Sequence, residues 1–138
     1  MMYSTNMDAA DMGDIARKFQ RDLNAGLVAL VLLGVLAETD EDLYGYDIAK
    51  RLQRIRDGEA LFKEGTIYPV LRSLAASGWL SSRIVPSYAG PPRRYYRITD
   101  EGRAVLARWR SVWRDTRDFV DQFTGPSSSD PSATDPTP

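Results

Sequence analysis

The stretch Lys63-Glu64-Gly65-Thr66-Ile67-Tyr68-Pro69-Val70-Leu71-Arg72-Ser73-Leu74 decides how the rest of the chain is read. Ile67, Leu71 and Leu74 recur at i, i+4 and i+7, which puts them on one side of a helix. Thr66, Tyr68, Arg72 and Ser73 take the remaining circumference, with Tyr68 and Arg72 one turn apart. Pro69 has no amide proton, so it belongs in a first turn, where an N–H has no helical acceptor. The helix is therefore expected to start near Glu64 to Thr66, and Gly78 fits its stop. Taken alone, such a segment is equally a surface helix with ordinary polar residues. Its neighbours on either side decide between the two.

Upstream, Leu43-Tyr44-Gly45-Tyr46-Asp47 leads into a second amphipathic helix, expected to run to about Arg56. Ile48, Leu52 and Ile55 form its inner stripe, while Lys50, Arg51 and Arg54 face out. Asp57-Gly58 ends it, and Leu61 and Phe62 turn the chain into the opening helix. Two helices on a compact glycine-containing connection make a helix-turn-helix, although two unrelated amphipathic helices leave the same pattern. Downstream the period changes to two. Leu80, Ser82 and Ile84 alternate with Ser81, Arg83 and Val85, and Arg94, Tyr96 and Ile98 with Arg93, Tyr95 and Arg97. The turn-rich loop Pro86-Ser87-Tyr88-Ala89-Gly90-Pro91-Pro92 separates the two runs. A hairpin appended to a helix-turn-helix is a winged helix. Arg93, Arg94 and Arg97 are expected to meet phosphates or the minor groove, though a solvated hairpin reads the same way.

At the N-terminal end, residues 1–6 read as disordered. A helix follows from Asp8 to Asn24, with Met12, Ile15, Phe19 and Leu23 on one stripe and a break or bend at Asn24-Ala25-Gly26. The run from Leu27 to Leu36 is apolar all round. It is too short for a bilayer, which needs about 20 residues, and is expected to be a buried core helix of a cytoplasmic protein with no membrane segment.

At the other end Thr99 is a good N-cap, with Asp100 and Glu101 in the first turn. Leu106, Trp109, Trp113, Thr116, Val120 and Phe123 then follow 3-4-3-4-3 spacing, a coiled-coil seam that Val105, Val112 and Phe119 widen. A helix of about 24 residues is roughly 36 Å long, more than so small a domain can cover. Its stripe is expected to meet a second copy, with Ile15 and Phe19 joining the interface. Arg103, Arg108, Arg110, Arg114 and Arg117 read as a solvated face. The expected division is thus an N-terminal extension over 1–24, a winged helix-turn-helix over 25–99, a dimerisation helix over 100–124 and a disordered Pro/Ser/Thr/Asp-rich tail over 125–138. The fold class is mainly α with a small β-hairpin.

Composition narrows the chemistry. The chain of 138 residues has neither Cys nor His, which removes the thiol nucleophile, the commonest general base and the usual zinc ligands. No catalytic dyad, glycine-rich phosphate loop or metal cluster is legible, so catalytic residues, cofactors and metal are all expected to be absent. The formal net charge is −1, but it is unevenly spread. From Lys50 to Arg97 ten basic residues face three acidic ones, +7 against −8 for the remainder. A DNA-binding face needs only local positive charge, because phosphate contacts act within about 8–10 Å. Lys63, Thr66, Tyr68, Arg72, Ser73, Arg93, Arg94 and Tyr95 are the candidate DNA contacts, with Tyr68 alternatively a ring capping the core.

Several separate motifs, in order, resemble the PadR-like family of bacterial transcriptional regulators. They are Tyr44-Gly45-Tyr46-Asp47-Ile48-Ala49, Glu64-Gly65-Thr66-Ile67-Tyr68-Pro69-Val70-Leu71, Gly78-Trp79-Leu80, and the hairpin from Gly90 to Gly102. The resemblance covers about Leu27 to Phe123. It implies a homodimeric winged-helix repressor on a two-fold-symmetric double-stranded operator, of the subgroup with one C-terminal helix. By analogy with a multidrug-sensing relative, it also implies a planar, drug-like hydrophobic ligand stacked on Trp113, with Trp109 a turn earlier. Tryptophans in a helical seam serve packing before ligands. A rival reading is a winged-helix protein-interaction module that no longer binds DNA.

Overall fold

Asp8 opens the first helix, its carboxylate accepting from the Asp11 amide at 2.9 Å. In the computed structural model, which describes residues 8–53, 55–56 and 59–126, α1 then runs unbroken over Ala9–Leu36. The break expected at Asn24-Ala25-Gly26 does not occur. Asn24 tends to leave helices when its side chain competes for nearby backbone. Here that side chain is used sideways: it accepts from Gln20 Nε2 at 2.7 Å and donates to the Leu61 carbonyl at 2.6 Å. A boundary at residue 24 would therefore cut a continuous helix. The length argument against a membrane span also changes, because the 28-residue helix is long and apolar enough to cross one by length and composition. In this fold its Val28, Leu32, Leu33 and Leu36 are core residues.

Beyond α1 the chain makes β1 (Leu43–Tyr44), a strand not expected from the sequence, and α2 (Gly45–Leu52). Helix α2 stops one turn early. Gln53 leaves helical geometry at φ −81° and ψ 65°, and β2 (Ile55–Arg56) pairs antiparallel with β3 (Glu59–Ala60). Ile55 is thus a strand residue, not part of a helical stripe. The sequence between the two strands is Asp57-Gly58, a strong short-range hairpin signal. Arg54, Asp57, Gly58, the first seven residues and the tail beyond 126 lie outside the described residues, and the readings made of them stand as expectations.

Helix α3 spans Glu64–Ala76. Its stop is a Schellman turn: Trp79 N–H reaches the Leu74 carbonyl, Gly78 N–H reaches Ala75, and Gly78 takes φ +83°. Pro69 sits in the second turn rather than the first. Its missing N–H leaves the Gly65 carbonyl without a helical donor, on the exposed side of the helix. Strands β4 (Leu80–Val85) and β5 (Arg93–Ile98) form the hairpin, in register from Leu80 opposite Ile98 to Val85 opposite Arg93. Strand β1 adds to the other edge of β5, giving the order β1-β5-β4.

Thr99 caps α4 (Asp100–Thr124) as expected. Its hydroxyl accepts from Gly102 N–H at 3.0 Å and donates toward Gly78 and Trp79 carbonyls. The core collects Leu32, Leu33 and Leu36 of α1, Ile48 of α2, Ile67 and Leu71 of α3, and Leu80, Tyr96 and Ile98 of the sheet.

Two α4 residues depart from their sequence reading. Leu106, expected at the dimer seam, is only 2% exposed. It belongs to the core of its own unit and is unavailable to a second copy. Arg103, expected to be solvated, donates to the Ala37 carbonyl at 3.2 Å and the Asp40 carboxylate at 2.7 Å. It thereby neutralises the end of α1, which has no basic residue of its own in the last turn.

The chain divides into two units, the second beginning at Ala107. In the second unit α4 carries Val112, Trp113, Phe119, Val120 and Phe123 exposed, with the rings of Phe119 and Phe123 5.1 Å apart.

Candidate nucleic-acid interface

Helix α3 buries Ile67, Leu71 and Leu74, and this fixes what it can offer outward. Gly65, Thr66, Pro69, Arg72, Ser73 and Ala76 are exposed on the other side. All but Arg72 are small or compact, so the face has low relief. A Cβ at Gly65 would meet nothing within 4 Å. Such a helix can lie close to the floor of a groove, with Arg72 the one long reader.

One flank of this face is a concavity of about 240 Å³ lined by Tyr44, Gly45, Tyr46, Tyr68, Arg72, Arg94 and Tyr96. Gly45 lies at its wall: a Cβ there would come into ordinary contact with the Tyr96 ring at 3.4 Å and the Tyr68 ring at 3.6 Å. Tyr96 is buried, and burial pushes its hydroxyl above the usual tyrosine range, opposed by Arg94 and Arg72. Burial likewise raises Tyr68, with Glu64 adding to the effect. Both hydroxyls therefore stay protonated as donors at neutral pH. Tyrosines and two guanidiniums around one hollow suit a phosphate, with the first turn of α2 alongside.

The alternation of β5 splits the predicted wing residues between two faces of the sheet. Arg94 joins Tyr68 and Arg72 on the α3 side, its guanidinium reaching Ser82 Oγ at 3.4 Å. Arg93 and Tyr95 lie on the opposite face, where Arg93 stacks over the Tyr44 ring at 5.0 Å and Tyr95 packs on Tyr44 at 5.6 Å. Arg97, read as a groove contact, is engaged elsewhere. Asp42 accepts from Arg97 Nε at 2.9 Å and from Arg83 Nε at 2.5 Å. The Arg83 hydrogen bond leads in holding the Asp42 carboxyl below its ordinary value of 3.8. Lys63 and Thr66 line a different concavity, toward α1, and Ser73 is exposed on α3 itself. Tyr44, Tyr46 and Tyr96 were missed as site residues. The sequence signal was present in Tyr44-Gly45-Tyr46, where a glycine between tyrosines marks a close approach. Among the described residues no group of three or more acidic side chains could hold a metal ion.

A winged helix with this arrangement is matched by one family of known proteins. The profile of the transcriptional regulator PadR-like family aligns with residues 32–108. The chain belongs to that family. A PadR-family regulator of Eggerthella lenta DSM 2243 is 30% identical at TM-score 0.68, covering 86% of this chain and all of that one. A transcriptional regulator of Clostridium thermocellum is 30% identical at TM-score 0.64, over 75% of this chain and 98% of that one. An uncharacterised protein of Lysinibacillus sphaericus is 28% identical over 102 residues, 74% of this chain and 92% of that protein. PadR-family membership makes the chain a transcriptional regulator and not an enzyme. Its winged-helix fold, with a three-stranded sheet and one long C-terminal helix, is that of its solved relatives.

Proposed function

We propose that this PadR-family regulator acts as a cytoplasmic homodimeric repressor on a two-fold-symmetric operator. The observation that carries the reading is the low-relief face of α3, flanked by the Tyr68, Arg72 and Arg94 cluster. Arg72, Thr66 and Ser73 are the residues for base edges in the major groove. Tyr68, Arg94, Lys63 and Arg93 are the residues for phosphates, which fix register without reading sequence. Tyr95 supports Arg93 through their shared partner, Tyr44. The interface is built from Trp109, Trp113, Thr116, Val120 and Phe123 of α4, and from Ile15 and Phe19 of α1. Phe119 and Phe123 are each more than 60% exposed with their rings 5.1 Å apart, an apolar pair of the kind that marks an interaction surface. Dimerisation sets two α3 helices about one DNA turn, roughly 34 Å, apart or a multiple of it.

Gel shift on the promoter of the protein's own gene tests this. Arg72→Ala is expected to lose about 1–3 kcal/mol and to relax specificity at one base pair. Arg93→Ala is expected to weaken all sequences alike. Binding unaffected by both substitutions favours the protein-interaction module.

Release by a small planar hydrophobic ligand is the finer part of this reading. It rests on Trp113, 37% exposed in the α4 seam, one turn from Trp109. Planar dyes are expected to quench tryptophan fluorescence, and Trp113→Ala but not Trp109→Ala to abolish the effect. Absence of quenching at high micromolar dye removes the ligand from the mechanism.

A further inference from the structure

A concavity of about 260 Å³ opens between the N-terminal half of α1 and the first turn of α3. The polar part of its lining is Arg17, Gln20, Arg21, Asn24, Lys63 and Thr66; Leu61 and Phe62 are among its apolar residues, and no carboxylate is among its described lining residues. Three described acids of α1 and α3 have partners of their own. Asp14 is paired with Arg17, Asp22 with Lys18 at 3.0 Å, and Glu64 accepts from Gln53 at 3.1 Å. The wall is built rather than incidental, because Asn24 is tied to the Leu61 carbonyl and to Gln20. Lys63 is the N-cap of α3 and provides no side-chain cap. The Thr66 and Ile67 amides donate to the Lys63 carbonyl at 2.9 and 3.1 Å, so the attraction of the hollow comes from its side chains. Arg17, Arg21 and Lys63 around one hollow, beside the exposed face of α3, favour a phosphate oxygen over a cationic guest.

We infer that this hollow between α1 and α3 binds a backbone phosphate of the DNA duplex, so that the N-terminal half of α1 lengthens the footprint. The inference rests on the proposed DNA reading and adds an element to it. Thr66 belongs at once to this hollow and to the outward face of α3. A duplex lying against that face brings its sugar–phosphate chain past Lys63 and Arg21. Arg17 already has a carboxylate partner, so Arg21 and Lys63 provide most of the attraction. Because Arg21 contacts phosphate and no base, it adds affinity equally on all sequences.

The test is fluorescence anisotropy of the full-length protein on its own promoter duplex and on a scrambled duplex, across a range of salt. Arg21→Gln is expected to weaken both duplexes by the same factor, and to lower the slope of log affinity against log salt by about 1. Arg21→Lys is expected to restore most of the slope. Replacing single phosphates by methylphosphonate should reveal one position that weakens the wild type but not Arg21→Gln. If Arg72→Ala weakens binding while Arg21→Gln changes neither affinity nor slope, the inference fails and the DNA reading stands. If the wild type binds no duplex, both fail. A free anion is the other source of the same chemistry. Inorganic phosphate or pyrophosphate, at constant ionic strength, would then raise the melting temperature saturably in the wild type and not in Arg21→Gln. That result with an unchanged DNA salt slope assigns the hollow to a free anion and overturns its assignment to a duplex phosphate.

Discussion

The side-chain amide of Asn24, in the middle of α1, donates to the backbone carbonyl of Leu61 at 2.6 Å. The bond joins residues 37 apart in sequence and fastens α1 to the segment that leads into α3. Asn24→Ala leaves a half-buried carbonyl without its donor and is expected to destabilise the fold by about 1–2 kcal/mol. Urea denaturation should show a lower midpoint at unchanged slope. An unchanged midpoint would mean that the tie does not form in solution.

Glycines 102 and 26 should respond in opposite directions to the same substitution. A Cβ at Gly102 would overlap the Trp79 carbonyl oxygen and lie 2.9 Å from Ile98 Cγ1. Neither neighbour can move freely, since Trp79 also accepts from Thr99 N–H at 3.1 Å. Gly102→Ala is expected to lose about 1–3 kcal/mol or more through overpacking. Gly26 is helical with nothing within 4 Å of its added Cβ. Gly26→Ala is expected to gain about 0.5–1 kcal/mol from helix propensity and a stiffer unfolded chain. Thermal unfolding of the two variants checks both signs, and a stabilised Gly102→Ala would contradict the packing at the start of α4.

Asp42 makes the wing acid-sensitive. Its carboxyl titrates lower in the folded protein than in the unfolded chain, through Arg83 first and Arg97 after it. Stability from this group is therefore complete above the ordinary value of 3.8 and is lost as pH falls through the lower, folded value. Asp42→Asn should narrow the difference in urea midpoint between pH 7 and pH 3. The effect should be small, since Arg83 and Arg97 are 64% and 50% exposed. The same variant frees two guanidiniums and is expected to steepen the salt dependence of DNA binding. A wild-type-like pH profile would show that the bridge contributes nothing.

What the sequence disclosed follows the range of the interactions involved. Helix α3 and the β4–β5 hairpin were legible because periodicity and turn residues are local. Thr99 and Gly78 were legible as cap and stop because each acts within a few residues of its own position. The continuity of α1 was hidden, since the group that accommodates Asn24 lies 37 residues away. Strand β1 was hidden because two residues carry no period and Leu43–Tyr44 becomes a strand only by pairing with Tyr95 and Tyr96. Basic residues could be counted but not assigned. Asp42 takes Arg83 and Arg97 across the sheet, Arg103 closes α1, and among the described residues only Arg93 and Arg94 of the wing make no ion pair with a carboxylate. Within the seam, Leu106 was indistinguishable from Trp113 by spacing. The domain core claims the first, and the second remains at the surface.

That separation of Leu106 from the rest of α4 gives the decisive test of assembly. Val120 and Phe123 are 47% and 70% exposed, so replacing them with aspartate creates no buried charge within the subunit. A Val120→Asp, Phe123→Asp double variant is expected to keep its helical circular dichroism and sediment as a monomer, where the wild type sediments as a dimer at micromolar concentration. Its melting temperature should no longer rise with protein concentration. Operator affinity should fall by about 10²-fold or more, because two linked recognition helices become independent. Arg72→Ala should show the converse: an intact dimer with weakened operator binding. A Leu106→Asp variant should fail differently from both, losing the folded domain itself, because its side chain lies in the subunit core. If the wild type is monomeric at micromolar concentration, the exposed α4 residues need another occupant and the two-fold operator loses its support.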